Sequence, residues 1–223
     1  MNRKNLRSLA AGVALLLAVG ALAGCGGEKK ADDSKKMVTV GIAQLVEHGA
    51  LDAANKGFVA GMASKGFKEN ENVKYDRQNA QADQSNLQNI AQRFVSNKVD
   101  LICAIATPTA QTMANATKDI PIVATAVTDY EVAKLAASNN EPKGNVTGTS
   151  DMNPIDQQLE LLLKIAPQTK NIGTVYSSSE VNSQLQVDVL KKLAGDKGIN
   201  VIEATVSTVN DIQQAAHSLS LIH

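Results

Sequence analysis

The sequence predicts an α/β protein of two similar lobes, each built on a parallel sheet, and three observations predict it. Residues 99–109, VDLICAIATPT, form a short continuous apolar run without alternation, as in a strand buried on both faces of a parallel sheet. Strand-like runs alternate with segments of helical periodicity at the spacing of right-handed βαβ units. The pattern of the first half then returns in the second: VGIAQLVEH and its helix correspond to NIGTVYSSS and its helix, and YDRQNAQADQSNLQNIAQ corresponds to VIEATVSTVNDIQQAAHS.

Taken in order, residues 37–46 alternate and then run apolar, which makes a first strand ended by Glu47-His48-Gly49. A helix over 51–65 carries Ala, Phe and Met at helical spacing and is closed by Gly66. A second strand spans 73–78. The helix over 83–96 places Leu87, Ile90, Ala91, Phe94 and Val95 on one face and fills the other with Gln and Asn, a solvated face. At the end of the run 99–109, Thr107 is expected as N-cap and Pro108 as first residue of a helix to 117, where proline's missing N–H costs nothing. A strand over 122–128, a short helix around 131–137, a loop over 138–144 and a fifth strand over 145–150 complete the first lobe. Beyond Asp151-Met152-Asn153-Pro154 come a helix (155–165), a strand (171–176), the turn Ser177-Ser178-Ser179, a helix (181–194), a strand (200–206) and a helix (211–219). The domain reading is therefore 1–24, 25–36, 37–150 and 151–223. In 151–223 only two clear strands occur in 73 residues, thin for an independent core, and the repeat stops where the first half supplies its central strand. A truncated or frameshifted second lobe is expected.

The first 24 residues stand apart from the fold. Arg3, Lys4 and Arg7 precede an apolar run too short for a comfortable membrane span. It ends in Leu22-Ala23-Gly24-Cys25 and is followed by the polar tether GGEKKADDSKK. This resembles the lipobox of bacterial lipoproteins, which implies a diacylated (palmitate-type) Cys25 as mature N-terminus. Without the leader, 19 basic side chains face 22 acidic ones, a net charge of −3, and no basic patch argues for nucleic acid. Cys103, the other cysteine, lies inside the buried strand and reads as a small core residue. Aromatics are scarce, with three Tyr, three Phe and no Trp.

Four strand ends carry polar groups to one edge: Glu47-His48, Thr107-Pro108-Thr109, Thr128-Asp129, and Ser178-Ser179 with Asn182 beyond. Helix N-termini follow the first, second and last of these. Free N–H groups and hydroxyls there suit a carboxylate, and Asp129, Asp151 or Glu47 suits an ammonium group, so the set fits a zwitterion such as an amino acid. Thr107, Ser179 and Asp151 also fit as plain helix caps. Ser178, His48 and Asp129 complete the inventory of a hydrolytic triad, but no G-x-S-x-G surrounds the serine. No His/Cys cluster has metal-ligand spacing, and neither a G-x-x-x-x-G-K-[ST] loop nor a G-x-G-x-x-G after a strand occurs, so no metal or cofactor is expected.

The runs 40–48, 78–81, 99–111, 125–129, 144–151 and 176–183 together resemble the substrate-binding lipoproteins of ABC importers of the tryptophan/tyrosine-uptake type. The resemblance covers 37 to about 216. It implies two Rossmann-like lobes of the type I periplasmic-binding-protein fold, with 145–151 as the first crossover between them. It also implies an amino-acid-like, aromatic ligand held between the lobes and delivered to ABC permease subunits, by a monomer lipid-anchored on the outer face of the bacterial cytoplasmic membrane. An extracytoplasmic sensory module is the alternative.

Overall fold

The computed structural model describes residues 37–141 and 144–221. Residues 1–36, which carry the expected leader, Cys25 and tether, lie outside the described residues, as do Pro142, Lys143, Ile222 and His223.

Strands β1 (Val38–Gln44), β2 (Val73–Asn79), β3 (Leu101–Ile105), β4 (Ile122–Val127) and β5 (Val146–Ser150) form one parallel sheet in the order β2-β1-β3-β4-β5. Between them run α1 (Gly49–Ser64), α2 (Gln84–Ser96) and α3 (Thr107–Ala116). Successive side chains of a strand point to opposite faces, and β3 shows how the core divides accordingly. Ile102 and Ala104 pack with Leu87, Ile90, Ala91 and Phe94 of α2 and with Ala110 and Met113 of α3. Cys103 and Ile105 pack on the other face with Val40, Ile42, Val73 and Tyr75, under Leu51, Phe58, Val59 and Met62 of α1. Three layers result, with β1 and β3 sealed between them. α2 enters this core because its apolar residues recur at helical spacing and Asp83 caps it, its carboxylate accepting from the Asn86 N–H at 2.8 Å. Each large side chain fully buried there contributes about 1.5–3 kcal/mol.

Beyond β5 the chain forms α4 (Ile155–Ile165), β6 (Asn171–Ser177), α5 (Val181–Gly195), β7 (Asn200–Val206), a 3-10 turn (Val209–Asp211) and α6 (Ile212–Ser220). β6 and β7 pair in parallel as a second sheet, from Asn171 opposite Asn200 to Ser177 opposite Val206. Its core gathers Leu159, Ala194 and Ile199 with Leu163, Ile172, Leu190, Leu193 and Val201.

Three local expectations are corrected. The strand within 99–109 is only Leu101–Ile105, and the helix starts at Thr107 with Ala106, not Thr107, as its N-cap. The segment 131–137 is a series of turns rather than a helix. There Asp129 accepts from the Val132 N–H at 2.8 Å, Asn139 accepts from the Tyr130 N–H at 2.7 Å, and Lys134 takes a left-handed φ of 57°. These side-chain bonds to the backbone outcompete the helix propensity of EVAKLAA. Finally, α1 starts at Gly49, two residues before 51, because His48 is its N-cap and Nδ1 accepts from the Ala50 N–H at 3.3 Å.

Candidate functional site

Parallel register aligns the carboxyl ends of three neighbouring strands: Gln44 lies opposite Ile105, and Ile105 opposite Thr125. The segments that follow β1, β3 and β4 therefore meet at one edge of the first sheet. This brings together Glu47-His48, Thr107-Thr109 and Thr128-Asp129, the place where open α/β sheets bind ligands.

The first segment is held from below. Gln44 is buried, donates to the Val46 carbonyl at 2.9 Å and to Asp52 Oδ1 at 2.6 Å, and accepts from Asn55 Nδ2 at 3.2 Å. That amide fixes the first turn of α1 to the end of β1, leaving Glu47 and His48 exposed above it. A polar residue inside an otherwise apolar strand was the signal for Gln44, which sequence reasoning passed over.

The second segment is the most unusual. Ala106 joins β3 to α3 in one residue with φ 89° and ψ 152°. Thr107 and Thr109 are 2% and 0% exposed, and neither hydroxyl has a hydrogen-bond partner. A buried, unpaired hydroxyl costs about 1–3 kcal/mol. The cap explanation fails here, because Thr107 is inside the helix, and for the other two residues as well. α4 is preceded by Pro154 rather than Asp151, and α5 by Glu180 rather than Ser179.

In the third segment, Asp129 finds partners within its own loop: besides Val132 N–H, its Oδ2 accepts from Asn139 Nδ2 at 2.8 Å. A carboxylate has about four acceptor sites, so capacity remains. Thr128 is buried, and its carbonyl accepts from the Ser150 hydroxyl at 2.7 Å. Asp151 is exposed and its N–H donates to the Val127 carbonyl at 3.0 Å. Tyr130, absent from the sequence reading, is the anchor. Its hydroxyl lies 2.9 Å from the Ala124 carbonyl and 3.2 Å from that of Thr149, bridging β4 to β5 where their register shifts. Burial, and then the charge of Asp151, push its phenol up to about 12. A side chain at Gly148 would overlap the Ala124 carbonyl and the Tyr130 hydroxyl, so this bridge requires glycine there.

The remaining expected residues lie at the carboxyl end of β6 in the second sheet. Ser178 N–H donates to the Val206 carbonyl at 3.2 Å, Ser179 and Ser177 share a 2.9 Å hydroxyl contact, and Asn182 has one buried, unpartnered oxygen. Among the described residues no hydrogen bond links Ser178, His48 and Asp129. No group of three His, Cys, Asp or Glu residues there could hold a metal ion, and no helix there is long and apolar enough to cross a membrane. Burial raises the Cys103 thiol to about 12, which suits a packing role.

Residues 39–221 match the family described as ABC transporter substrate binding protein. The chain belongs to that family. Such substrate-binding proteins work outside the cytoplasm. A curated relative, the tyrosine-binding protein of Clostridioides difficile (strain R20291), is 48% identical over 98% of this chain and 65% of its own length. A solved structure from Streptococcus pneumoniae in complex with L-Trp is 40% identical, with TM-score 0.80, over 83% of this chain and 62% of that one. A ligand-free, open substrate-binding protein with adhesive properties from Clostridium difficile is 50% identical, with TM-score 0.62, over 82% and 62% of the two chains. More distant solved structures, at 13 to 18% identity, share the fold alone, that of type I periplasmic binding proteins. The chain thus spans about 65% of the curated relative's length.

Proposed function

We propose that this member of the substrate-binding family serves an ABC importer by holding an aromatic amino acid and delivering it to the permease, without catalysis. The observation that carries the proposal is the pair of buried, unpartnered hydroxyls of Thr107 and Thr109 in the first turn of α3. In that reading the ligand's carboxylate takes the α3 N-terminus, where the helix dipole and unpaired N–H groups favour an anion. Asp129, Asp151 or Glu47 takes the ammonium group, with Thr128 and His48 beside it. Ser178, Ser179 and Asn182 close on the ligand from the second lobe, taken as 151–223 against a first lobe of 37–150. Support for the ligand class comes from the relatives that bind tyrosine and L-Trp. Cleavage after residue 24 and lipidation of Cys25 would tether the protein, as a monomer, to the outer face of the cytoplasmic membrane.

Thermal unfolding of the chain with each of the twenty amino acids tests the proposal. A ligand at about 100 times its Kd adds roughly 2.7 kcal/mol, or about 5–10 °C in Tm for a chain of this size. A shift produced by Trp, Tyr or Phe is the expected result. A transition indifferent to all twenty refutes the assignment.

A further inference from the structure

A groove of about 500 Å³ runs between α2 and α3, and it is separate from the sheet edge, since neither Thr107 nor Thr109 lines it. One wall is built by Gln84, Gln88 and Gln92 of α2, which recur every four residues and so stand one above another on a single helix face. Thr112 and Asn115 of α3 form the opposite wall, and the small apolar side chains of Ala91 and Val95, buried and half-buried, lie at the base. No charged residue lines the groove.

That neutrality sets α2 apart from the other solvent-facing helices. α4 presents Asp156, Glu160 and Lys164 to water, and α5 presents Asp188, Lys191 and Lys192. The one charged residue of α2, Arg93, is paired with Asp76 at 2.7 Å. Gln84 is tied across the groove, its Nε2 donating to Thr112 Oγ1 at 3.2 Å. Among the described residues, no protein group bonds the side chains of Gln88, Gln92 or Asn115.

A side-chain amide offers one carbonyl and one NH₂, the complement of a backbone N–H and C=O. In an extended chain both backbone groups of every second residue face the same side, at a repeat of about 6.6–6.8 Å. Residues four apart on a helix recur about every 6 Å, so over the three glutamines the two repeats drift apart by only about 1–2 Å. A flexible glutamine side chain absorbs that difference. A saccharide would also match neutral amides, but the groove has no aromatic ring on which its apolar face could stack.

We infer that this groove binds an extended, uncharged stretch of polypeptide, whose backbone pairs with the Gln88 and Gln92 amides and whose small side chains rest on Ala91 and Val95. Such a site reads backbone rather than sequence, and it disfavours a charged side chain, which would lose water without meeting an opposite charge. It is independent of the amino acid held at the sheet edge.

The test titrates the ¹⁵N-labelled full chain with a capped hexapeptide of alternating alanine and serine, with its fully N-methylated counterpart, which has no backbone donors, and with maltose. The side-chain NH₂ signals of Gln88 and Gln92 should shift saturably with the hexapeptide, and with neither of the other two. In Gln88→Ala/Gln92→Ala, followed through Asn115, the hexapeptide should bind about tenfold more weakly, with Tm equal or higher because alanine is the better helix former. Absence of a saturable shift by about 10 mM hexapeptide overturns the inference, as does unchanged affinity in the double variant. Equal binding of the N-methylated peptide overturns it because the backbone is then not what is read. Binding of maltose alone overturns it in favour of a saccharide. Competition between the hexapeptide and L-tryptophan overturns it too, by placing the peptide at the sheet edge and leaving the function reading intact.

Discussion

The β1-α1-β2-α2 and β6-α5-β7-α6 stretches are built from one sequence pattern, yet they are not equally buried. β1 pairs with β2 on one edge and β3 on the other, and Val40 to Gln44 are all buried. β6 pairs only with β7 among the described residues, and none of its seven residues is fully buried. Large exposed apolar side chains gather accordingly around the second sheet: Leu161, Leu162 and Ile165 on α4, Val175 on β6 and Ile212 on α6. Even a fine detail recurs with different tightness. A Cβ on Gly41 of β1 would sit 2.7 Å from the Phe94 ring of α2, whereas one on Gly173 of β6 would sit 3.2 Å from Leu219 of α6. Periodicity sets the elements and even the glycine beneath each helix. How deeply they are buried is set by the number of neighbours, which a local pattern does not carry.

The largest expected effects break this pair of contacts. Phe94→Ala should cost about 3–5 kcal/mol, since Phe94 is fully enclosed and its removal leaves a cavity. Leu219→Ala, in a half-buried setting, should cost about 1 kcal/mol. Gly41→Ala should cost about 1–3 kcal/mol because the Phe94 ring has nowhere to go, while Gly173→Ala should cost less than about 1 kcal/mol because a flexible Leu219 methyl can shift. Residue-resolved hydrogen exchange assigns each loss to its own sheet. Equal costs at the two glycines would show that the two stretches are packed alike.

A smaller effect sharpens the contrast on the alkaline side. Tyr130 is buried and its phenol is raised to about 12, so its contribution is fully present below the ordinary tyrosine pKa near 10 and is lost as pH rises through 12. Tyr130→Phe should cost about 1–2 kcal/mol at neutral pH through the lost bonds to the Ala124 and Thr149 carbonyls, and should flatten the fall in stability between pH 10 and 12. Part of that fall remains in the variant, because burial raises the Cys103 thiol in the same direction. Urea midpoints measured across this range would decide it, and an unchanged slope would remove Tyr130 from the account.

What the sequence made legible follows the same division. The apolar runs at β1, β3 and β4 are strands because only a sheet sealed on both faces accommodates such runs. The face of α2 from Leu87 to Phe94 is buried as its spacing requires. The failures come where a single side chain or torsion decides. EVAKLAA has helical propensity throughout, and nothing in it announces that Asp129 and Asn139 will bind the backbone of their own loop. Ala106 carries no sign of a left-handed φ, since the residue that advertises one is glycine. Among the site residues, the sheet-edge position of Glu47, His48, Thr107, Thr109, Thr128 and Asp129 was legible from strand ends. The supports beneath them, Gln44 and Tyr130, were not, because both depend on partners distant from their own segment.

The smallest expected effect lies in the second sheet, at its exposed polar cluster. Lys191 on α5 pairs with one oxygen of Glu203 on β7, and the Tyr176 hydroxyl on β6 lies 2.6 Å from the other. The Lys191 ammonium first, and the Tyr176 hydroxyl second, hold the Glu203 carboxyl below its ordinary value. A depressed acid stabilises the fold above its unfolded pKa and loses that contribution as pH falls through the folded one. Tyr130 therefore weakens the first sheet at alkaline pH and Glu203 the second at acid pH, while Asp76 on β2, also lowered, and Tyr176 on β6, also raised, act in the opposite ranges. The acid effect is the weaker one because water and salt screen an exposed pair. The ring signals of Tyr176 followed by NMR as pH is lowered should report a midpoint below the usual glutamate range near 4.3. Lys191→Met should move that midpoint up, and Glu203→Gln should abolish the titration. An unmoved midpoint in Lys191→Met would mean that the ammonium is not what depresses the acid, and that the Tyr176 hydroxyl holds Glu203 by itself.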